Sequence, residues 1–341
     1  MNVRHALAAA ALLAIALPAT AQEVTLKVHH YLSPQSNQHT TMLGAWCEKL
    51  AKESANKLKC QIYPAMQLGG APTQLYDQAK DGVADVVWVP AGWAGPRFDR
   101  MEVFELPFMM SNAEATSRAA WDYYEANAKD LFNDTRILAV NVHGPGNIYT
   151  KDKAVKTMAD LKGLKLRGPT RVVTRALQLM GATPVAMALP QVPEALSKSV
   201  IDGAVIPYEV APSLKINELV KYTAETDRSY PALYTTVFLT VMNKKKYDEL
   251  PADLKKVLDA NSGQDFSAFL GKAQAAGDVP GKDKVAGSGV QITVIPKAEL
   301  ENWKKATDEV DDEWIKAQNA KGQDGTRLHK SALELIRKHT R

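Results

Sequence analysis

Cysteine is nearly absent: the 341 residues carry two, Cys47 and Cys60. No C-x-x-C pair exists, so neither a dithiol redox motif nor a thiolate zinc site has support. A G-x-S-x-G nucleophile elbow and an H-E-x-x-H zinc helix are also missing. "GPGNIY" (144–149) keeps two glycines of a dinucleotide fingerprint and lacks the third. "GDVPGKD" (277–283) has the wrong spacing for a phosphate loop and no Ser or Thr after its lysine. His29 and His30 are neighbours on an extended segment, so they point to opposite faces and cannot share a metal. These absences leave the common enzyme chemistries and a resident cofactor without support, and no metal-ligand spacing is present, although a metal that assists ligand binding stays open. They leave binding without catalysis.

A charge excess of either sign is missing too. Lys and Arg number 42 against 38 Asp and Glu, a net charge of +4. A nucleic-acid partner calls for a strongly basic domain, so it is excluded. Long apolar runs occur only at the start, where Ala6–Leu17 follows the charged Arg4 and precedes Ala19-Thr20-Ala21. This is the three-part layout of a secretory signal peptide, with cleavage after Ala21 and export to the periplasm. The run is too short for a spanning helix, which needs about 20 apolar residues. In an oxidising compartment the two cysteines become a candidate disulfide, since Cys47 lies on a predicted helix and Cys60 near the start of the strand beneath it.

What is present is alternation. "EVTLKVHH" (23–30), "LKCQIYP" (58–64) and "VADVVWVP" (83–90) read as strands, with a helix over 33–54 and a turn and helix over 67–82 between them. The pattern restarts with strand 136–142. It continues through strand "LKLR" (164–167), helix 170–180 capped by Thr170, strand "TPVAM" (183–187), helix 190–199 and strand "GAVIP" (203–207). Ala232–Asn243 is the longest strand candidate. One long helix is predicted over Pro251–Ala276, and the Gly- and Lys-rich 277–289 reads as a loop. Strand "GVQITVIP" (289–296) and helices over 297–321 and 325–339 close the chain. Two successive units of this kind give an α/β protein with sheets flanked by helices.

"QIYPAMQLGG", "LYDQAKDGVADVV", "VFELPFM" and "MADLKGLKLRGPT…LQLMGATPVAM…ALSKSVIDGAVIP" follow one another in register over nearly all of 23–319. In these motifs the chain closely resembles the solute-binding proteins of tripartite ATP-independent periplasmic (TRAP) transporters, of the C4-dicarboxylate-binding type. The resemblance implies a two-domain periplasmic-binding-protein fold, with the ligand cleft between domains and with long β segments and a long helix spanning both. It divides the chain into a signal peptide (1–21), a first domain (22–142 with 230–275), a second domain (143–229 with 276–322) and a C-terminal helix (323–341). It also implies a small organic carboxylate as ligand and the small and large TRAP permease subunits as partners. A sensor kinase is the competing partner.

By the same resemblance Arg167, at the end of the "KGLKLR" strand, is the two-pronged anchor for the ligand carboxylate, which a planar guanidinium suits. Where many relatives carry an asparagine, this chain has Ile206, and where some carry a second arginine it has Asn147. Losing those anchors shifts the expected ligand from a C4-dicarboxylate to an aromatic or branched monocarboxylate, including 2-oxo and 2-hydroxy acids. Trp88, Trp93 and Phe98, with His30 and Tyr31, lie at strand ends where ligands of α/β sheets bind. Trp88 and Phe98 are equally well read as core. Asn147 offers its amide, Arg171 either assists or belongs to a solvated face, and Tyr208 and Glu209 follow Pro207 at a domain crossing. His143 and Tyr230 are weaker candidates, while Lys162, Lys165 and Arg175 are expected on the surface.

Overall fold

The computed structural model describes residues 23–340; the expected signal peptide lies outside them. Eleven strands are found there. In chain order they are β1 (Val24–His29), β2 (Leu58–Tyr63), β3 (Val86–Pro90), β4 (Thr135–Val142), β5 (Gly146–Thr150), β6 (Lys165–Gly168), β7 (Thr183–Ala186), β8 (Gly203–Pro207), β9 (Tyr222–Thr226), β10 (Val237–Asn243) and β11 (Gln291–Ile295). They form two mixed sheets, ordered β2-β1-β3-β10-β4 and β11-β9-β5-β8-β6-β7, each the centre of one lobe. Strands buried on both faces read as continuous apolar runs, and β3 (VVWVP) is buried at every position in the middle of its sheet. Strand β1, nearer the edge, alternates: Val24, Leu26 and Val28 are buried and Thr25 is exposed. Cys47, on the helix Ala45–Glu53, is disulfide-bonded to Cys60 on β2.

The chain crosses between lobes from β4 to β5 and from β9 to β10. Because β10 enters the first sheet antiparallel to both β3 and β4, and β5 lies antiparallel to β8 and β9 in the second, both sheets are mixed rather than parallel. A third crossing is helical. The helix Gln264–Gly287 starts against β4 of the first lobe and leads into β11 of the second. The helix Lys297–Ala320 places Trp303 in the second lobe's core and then returns, where Trp314 Nε1 donates to the Asp99 carbonyl at 3.0 Å. Among the described residues no helix is long and apolar enough to cross a membrane.

Four sequence expectations are corrected. The predicted single helix 251–276 is two, Ala252–Ala260 and Gln264–Gly287, separated where Gly263 takes a φ of +87° that L-residues avoid. The stretch 277–287, expected to be loop, continues the second helix straight through Pro280. Its glycines serve close approach: a Cβ on Gly281 would sit 2.3 Å from the Tyr208 carbonyl oxygen, and one on Gly277 would sit 2.9 Å from Glu209 Cβ. These residues lie one helical turn apart and make a flat face for the segment 208–209 that follows β8. Packing there outweighs the roughly 3 kcal/mol that an interior proline costs a helix. Strand β10 begins at Val237 rather than Ala232, which leaves the eight-residue β4 as the longest strand. Finally, β5 and β9 were not anticipated, because β5 begins within the glycine-containing segment read as a broken fingerprint.

Candidate functional site

The strand ends of both sheets converge on a tight cavity with about 30 Å³ of free space. From the first lobe come Tyr31 after β1, Trp88 and Pro90 in β3, Trp93 beyond it, and Thr236 and Phe238 at the head of β10. The second lobe supplies Arg167 and Pro169 at the end of β6, Leu189 after β7, and Pro207 and Glu209 at the end of β8. His143 and Tyr234 come from the crossing segments.

One wall is an aromatic stack. Trp88 lies on Phe238 at 4.1 Å and 9°, and on Tyr31 at 5.6 Å and 12°; Tyr31 in turn meets Trp93 at 4.8 Å. Trp88 is completely buried, so it is both core and wall. Its indole Nε1 donates to Asn141 Oδ1 at 3.3 Å, Asn141 Nδ2 donates to Gln274 Oε1 at 2.6 Å, and Gln274 Nε2 donates to Glu209 Oε1 at 3.2 Å. Gln38 Nε2 donates to the same Glu209 oxygen at 2.7 Å. This buried chain fixes the stack to the carboxyl at the far end.

Arg167 occupies another part of the cavity. Only 3% of it is exposed, its Nε donates to the Met187 carbonyl at 3.0 Å, and its Nη1 donates to the Val205 carbonyl at 3.2 Å. A guanidinium has five N–H donors, so most of the fork remains free. It has no carboxylate partner among the described residues, unlike Arg171, which pairs with Glu102, and Arg175, which pairs with Glu309 and Glu313. Burial pushes its pKa down to about 10, with Tyr234 and Tyr31 opposing, and it stays a cation at neutral pH. A buried charge without a partner is costly, and the free donors of a planar fork match a carboxylate. His143 is neutral beside it: burial pushes its pKa down to about 4, and Nδ1 donates to the Gly144 carbonyl at 2.5 Å. The Tyr234 ring packs edge-on to His143 at 5.4 Å, and it fits because residue 146 is glycine; a Cβ there would lie 1.9 Å from Tyr234 Cε1.

Besides the bonds from Gln38 and Gln274 to Glu209, three polar ties close the lobes over this space. Trp93 Nε1 donates to the Pro169 carbonyl at 3.0 Å, and Thr170 Oγ1 donates to Glu105 Oε2 at 2.6 Å. Arg171 grips the buried Glu102, with Nε 3.0 Å from Oε1 and Nη2 on Oε2. Thr170 holds the N-cap position of the helix Arg171–Leu179, yet its side chain makes no cap; its hydroxyl is spent on the other lobe.

Of the residues singled out from the sequence, Arg167, Trp88, Trp93, Tyr31, Glu209 and His143 line the cavity. The others lie elsewhere. His30 is buried beside β1, its Nδ1 accepting from the Leu32 amide and its Nε2 bonded to His39 Nδ1 at 3.0 Å; burial and the neighbouring histidines push its pKa down to about 3. Ile206 is fully buried core, paired in register with Asn147. Asn147 and Tyr208 line a separate depression with Asp278 and Tyr230; Tyr208 and Glu209 connect β8 to β9 within the second sheet and do not stand at the expected domain crossing. Phe98 is core, stacked on Phe132 at 4.4 Å. Sequence reading missed Gln38, Tyr234, Thr236 and Phe238. The last three carry a usable signal, since period-two spacing places 234, 236 and 238 on one face of an extended segment. No group of residues with metal-ligating side chains clusters among the described residues.

Residues 28–318 match the family described as bacterial extracellular solute-binding protein, family 7. The fold superposes on a TRAP solute-binding protein from Rhodoferax ferrireducens in complex with copurified benzoate. That protein is 51% identical, with a TM-score of 0.92 over 93% of this chain and 98% of the other. A marine metagenome TRAP protein specific for aromatic acid ligands, 44% identical, has a TM-score of 0.91 over 94% and 100% of the two chains; it holds metahydroxyphenylacetate. In a further crystal the same metagenome protein holds 3-hydroxybenzoate. A third, from Bordetella bronchiseptica with bound mandelate, is 26% identical, with a TM-score of 0.83 over 92% and 99%.

Proposed function

The chain belongs to family 7 of the bacterial extracellular solute-binding proteins, and from that membership we propose that it captures an aromatic monocarboxylate between its closing lobes for delivery to a TRAP membrane permease. Export with cleavage after Ala21 would place it in the periplasm. One observation carries the reading: a buried guanidinium with free donors and no protein carboxylate faces a cavity walled by Tyr31, Trp88 and Phe238. The ligand carboxylate takes both prongs of Arg167, and the apolar ring lies against the aromatic wall, where flat faces stack. Lobe closure around the acid is then a hinge motion. The ligands held by the relatives at 51% and 44% identity support the aromatic assignment. A C4-dicarboxylate is disfavoured, because Arg167 is the only lysine or arginine side chain in the cavity lining.

The test is a thermal-shift and calorimetric comparison of benzoate, phenylacetate, mandelate and succinate. A ligand that binds only the folded state adds about 2.7 kcal/mol of stability at a hundredfold excess over its Kd, so the aromatic acids should raise Tm and succinate should not. Arg167→Met should abolish that response. A wild-type protein that responds to succinate alone, or a variant that responds as wild type does, overturns the proposal.

A further inference from the structure

Glu105 is completely buried and makes no ion pair among the described residues; the neighbouring Arg171 is taken by Glu102. Burial, with Glu102 nearby, pushes its pKa up to about 8. An acid in such a place costs stability that a methionine of similar size would not, and the capture scheme above gives it no part. Its two oxygens go to the two halves of the cavity. Oε1 accepts from the Val237 amide at 3.0 Å, and Oε2 meets the Thr170 hydroxyl at 2.6 Å. Val237 opens β10 between Thr236 and Phe238, which line the cavity from the first lobe. Thr170 stands in the second lobe, three residues after Arg167 and next to Pro169, and those two line the cavity from the other side. The bridge holds in either charge state: an ionised Glu105 accepts from the hydroxyl, and a neutral one donates to it. Neither Glu105 nor Thr170 is itself part of the lining.

We propose that Glu105 is a positioning residue for ligand capture: from behind the cavity it joins the lobes and, on closure, sets the β10 end of the aromatic wall against the turn that follows Arg167. Opening breaks only the Thr170 arm, since the Met101–Glu105 turn packs with β10 in the first lobe. Closing restores that arm only when the two segments stand at the distance one carboxyl spans. A side chain that never touches the ligand thus holds the guanidinium and the wall at a fixed separation. An apolar residue could fill the same space, but it could not join the two segments. The role rests on the reading that Arg167 holds the carboxylate in this cavity, and the experiment separates the two.

Stopped-flow release and calorimetric titration of benzoate and phenylacetate test it on the full mature chain. Thr170→Val removes the hydroxyl, keeps the shape and uncaps nothing, because that side chain makes no cap. It should release both acids roughly fivefold faster, the effect of one hydrogen bond, and leave their relative affinities as they are. Glu105→Met should release them at least as fast, and the double variant no faster than Glu105→Met alone, since both changes remove one shared bond. Glu105→Gln should stay close to the wild-type rate: its amide oxygen accepts from Val237 and its NH2 donates to Thr170. A side chain that only filled space would not tell Gln from Met. If Glu105→Met does not fold, Thr170→Val and Glu105→Gln decide. Wild-type release from Thr170→Val, a Glu105→Gln protein that releases as fast as Thr170→Val, or effects that multiply in the double variant overturn the positioning role. Benzoate binding that is indifferent to Arg167→Met overturns the carboxylate reading instead. If no aromatic acid binds at all, both fall.

Discussion

Trp93 and Pro169 meet across the cleft: the indole nitrogen of the first-lobe loop donates to the backbone carbonyl of the second lobe at 3.0 Å, two residues past Arg167. The tie exists only when the lobes are together. Replacing Trp93 with Phe keeps a ring against Tyr31 and removes the donor. The closed state should lose about 1 kcal/mol, seen as roughly fivefold weaker ligand binding that resides in a faster dissociation rate. A stopped-flow displacement experiment reads it, and an unchanged dissociation rate would sink the assignment of Trp93 as a closure contact.

Gly146 is required by its neighbour rather than by its own backbone. Alanine there would put a methyl 1.9 Å from Tyr234 Cε1 and 2.1 Å from Cζ. The ring must leave its place beside His143 or the strand must shift, at a cost of about 1–3 kcal/mol for overpacking. Gly146→Ala is therefore expected to lower Tm and to impair ligand binding together, whereas a surface Gly→Ala change should do neither. Equal affinity in a folded Gly146→Ala protein would show that Tyr234 does not shape the site.

The disulfide lies away from the cavity. Cys47 and Cys60, 13 residues apart, join the first helix to the strand β2 at the edge of its sheet. A loop of that size gives about 3 kcal/mol of stabilisation. The double variant Cys47→Ser, Cys60→Ser should unfold at lower urea by that margin and bind ligand as the wild type does. Matched denaturation and binding curves check both halves.

Stability should also fall from pH 6.5 to 8.5. Burial pushes Glu105 and Glu209 up to about 8 and Glu102 and Asp278 up to about 7. The folded state therefore holds protons that the unfolded chain releases near pH 4, and stability declines as pH rises through the folded values. The buried histidines act in the opposite sense. His30, pushed down to about 3, and His143, pushed down to about 4, prefer the neutral form, so their cost appears only on acidification below about 6.5. Above that pH the carboxyls alone set the slope, and Glu209→Gln should flatten it. Tm values across this range give the slope; a Tm that rises with pH contradicts the burial of these acids.

The stretch 162–175 shows how much of this was legible in the sequence. Strand and helix periodicity alone send its five cations in separate directions, and Lys162 and Lys165 are indeed exposed. Arg167 was placed by resemblance, and the structure puts it in the cavity. What no local pattern carries is the destination of the other two. Arg171 reaches Glu102 on the opposite lobe and Arg175 reaches Glu309 and Glu313 on a helix more than 130 residues away, as their separations of 69, 134 and 138 show. Asn147 and Ile206 show the same limit, because register decides which side of the crossing a residue faces. The helix through Pro280 was hidden for a related reason. Its glycines answer to the backbone at 208–209, and composition alone reads them as a turn.

The solitary Arg167 has a consequence for the protein without cargo. Arg171, Trp93 and Thr170 all favour bringing the lobes together whether or not a ligand is between them. With nothing to oppose them, an unloaded molecule would adopt the loaded shape, and any partner that recognises that shape would be engaged for nothing. Closing without an anion, however, strips water from a guanidinium that has no counter-charge to meet it. If Arg167 receives the acid as proposed, it is also an interlock: that desolvation cost opposes closure of the empty protein, so that the closed outline would report a filled cavity.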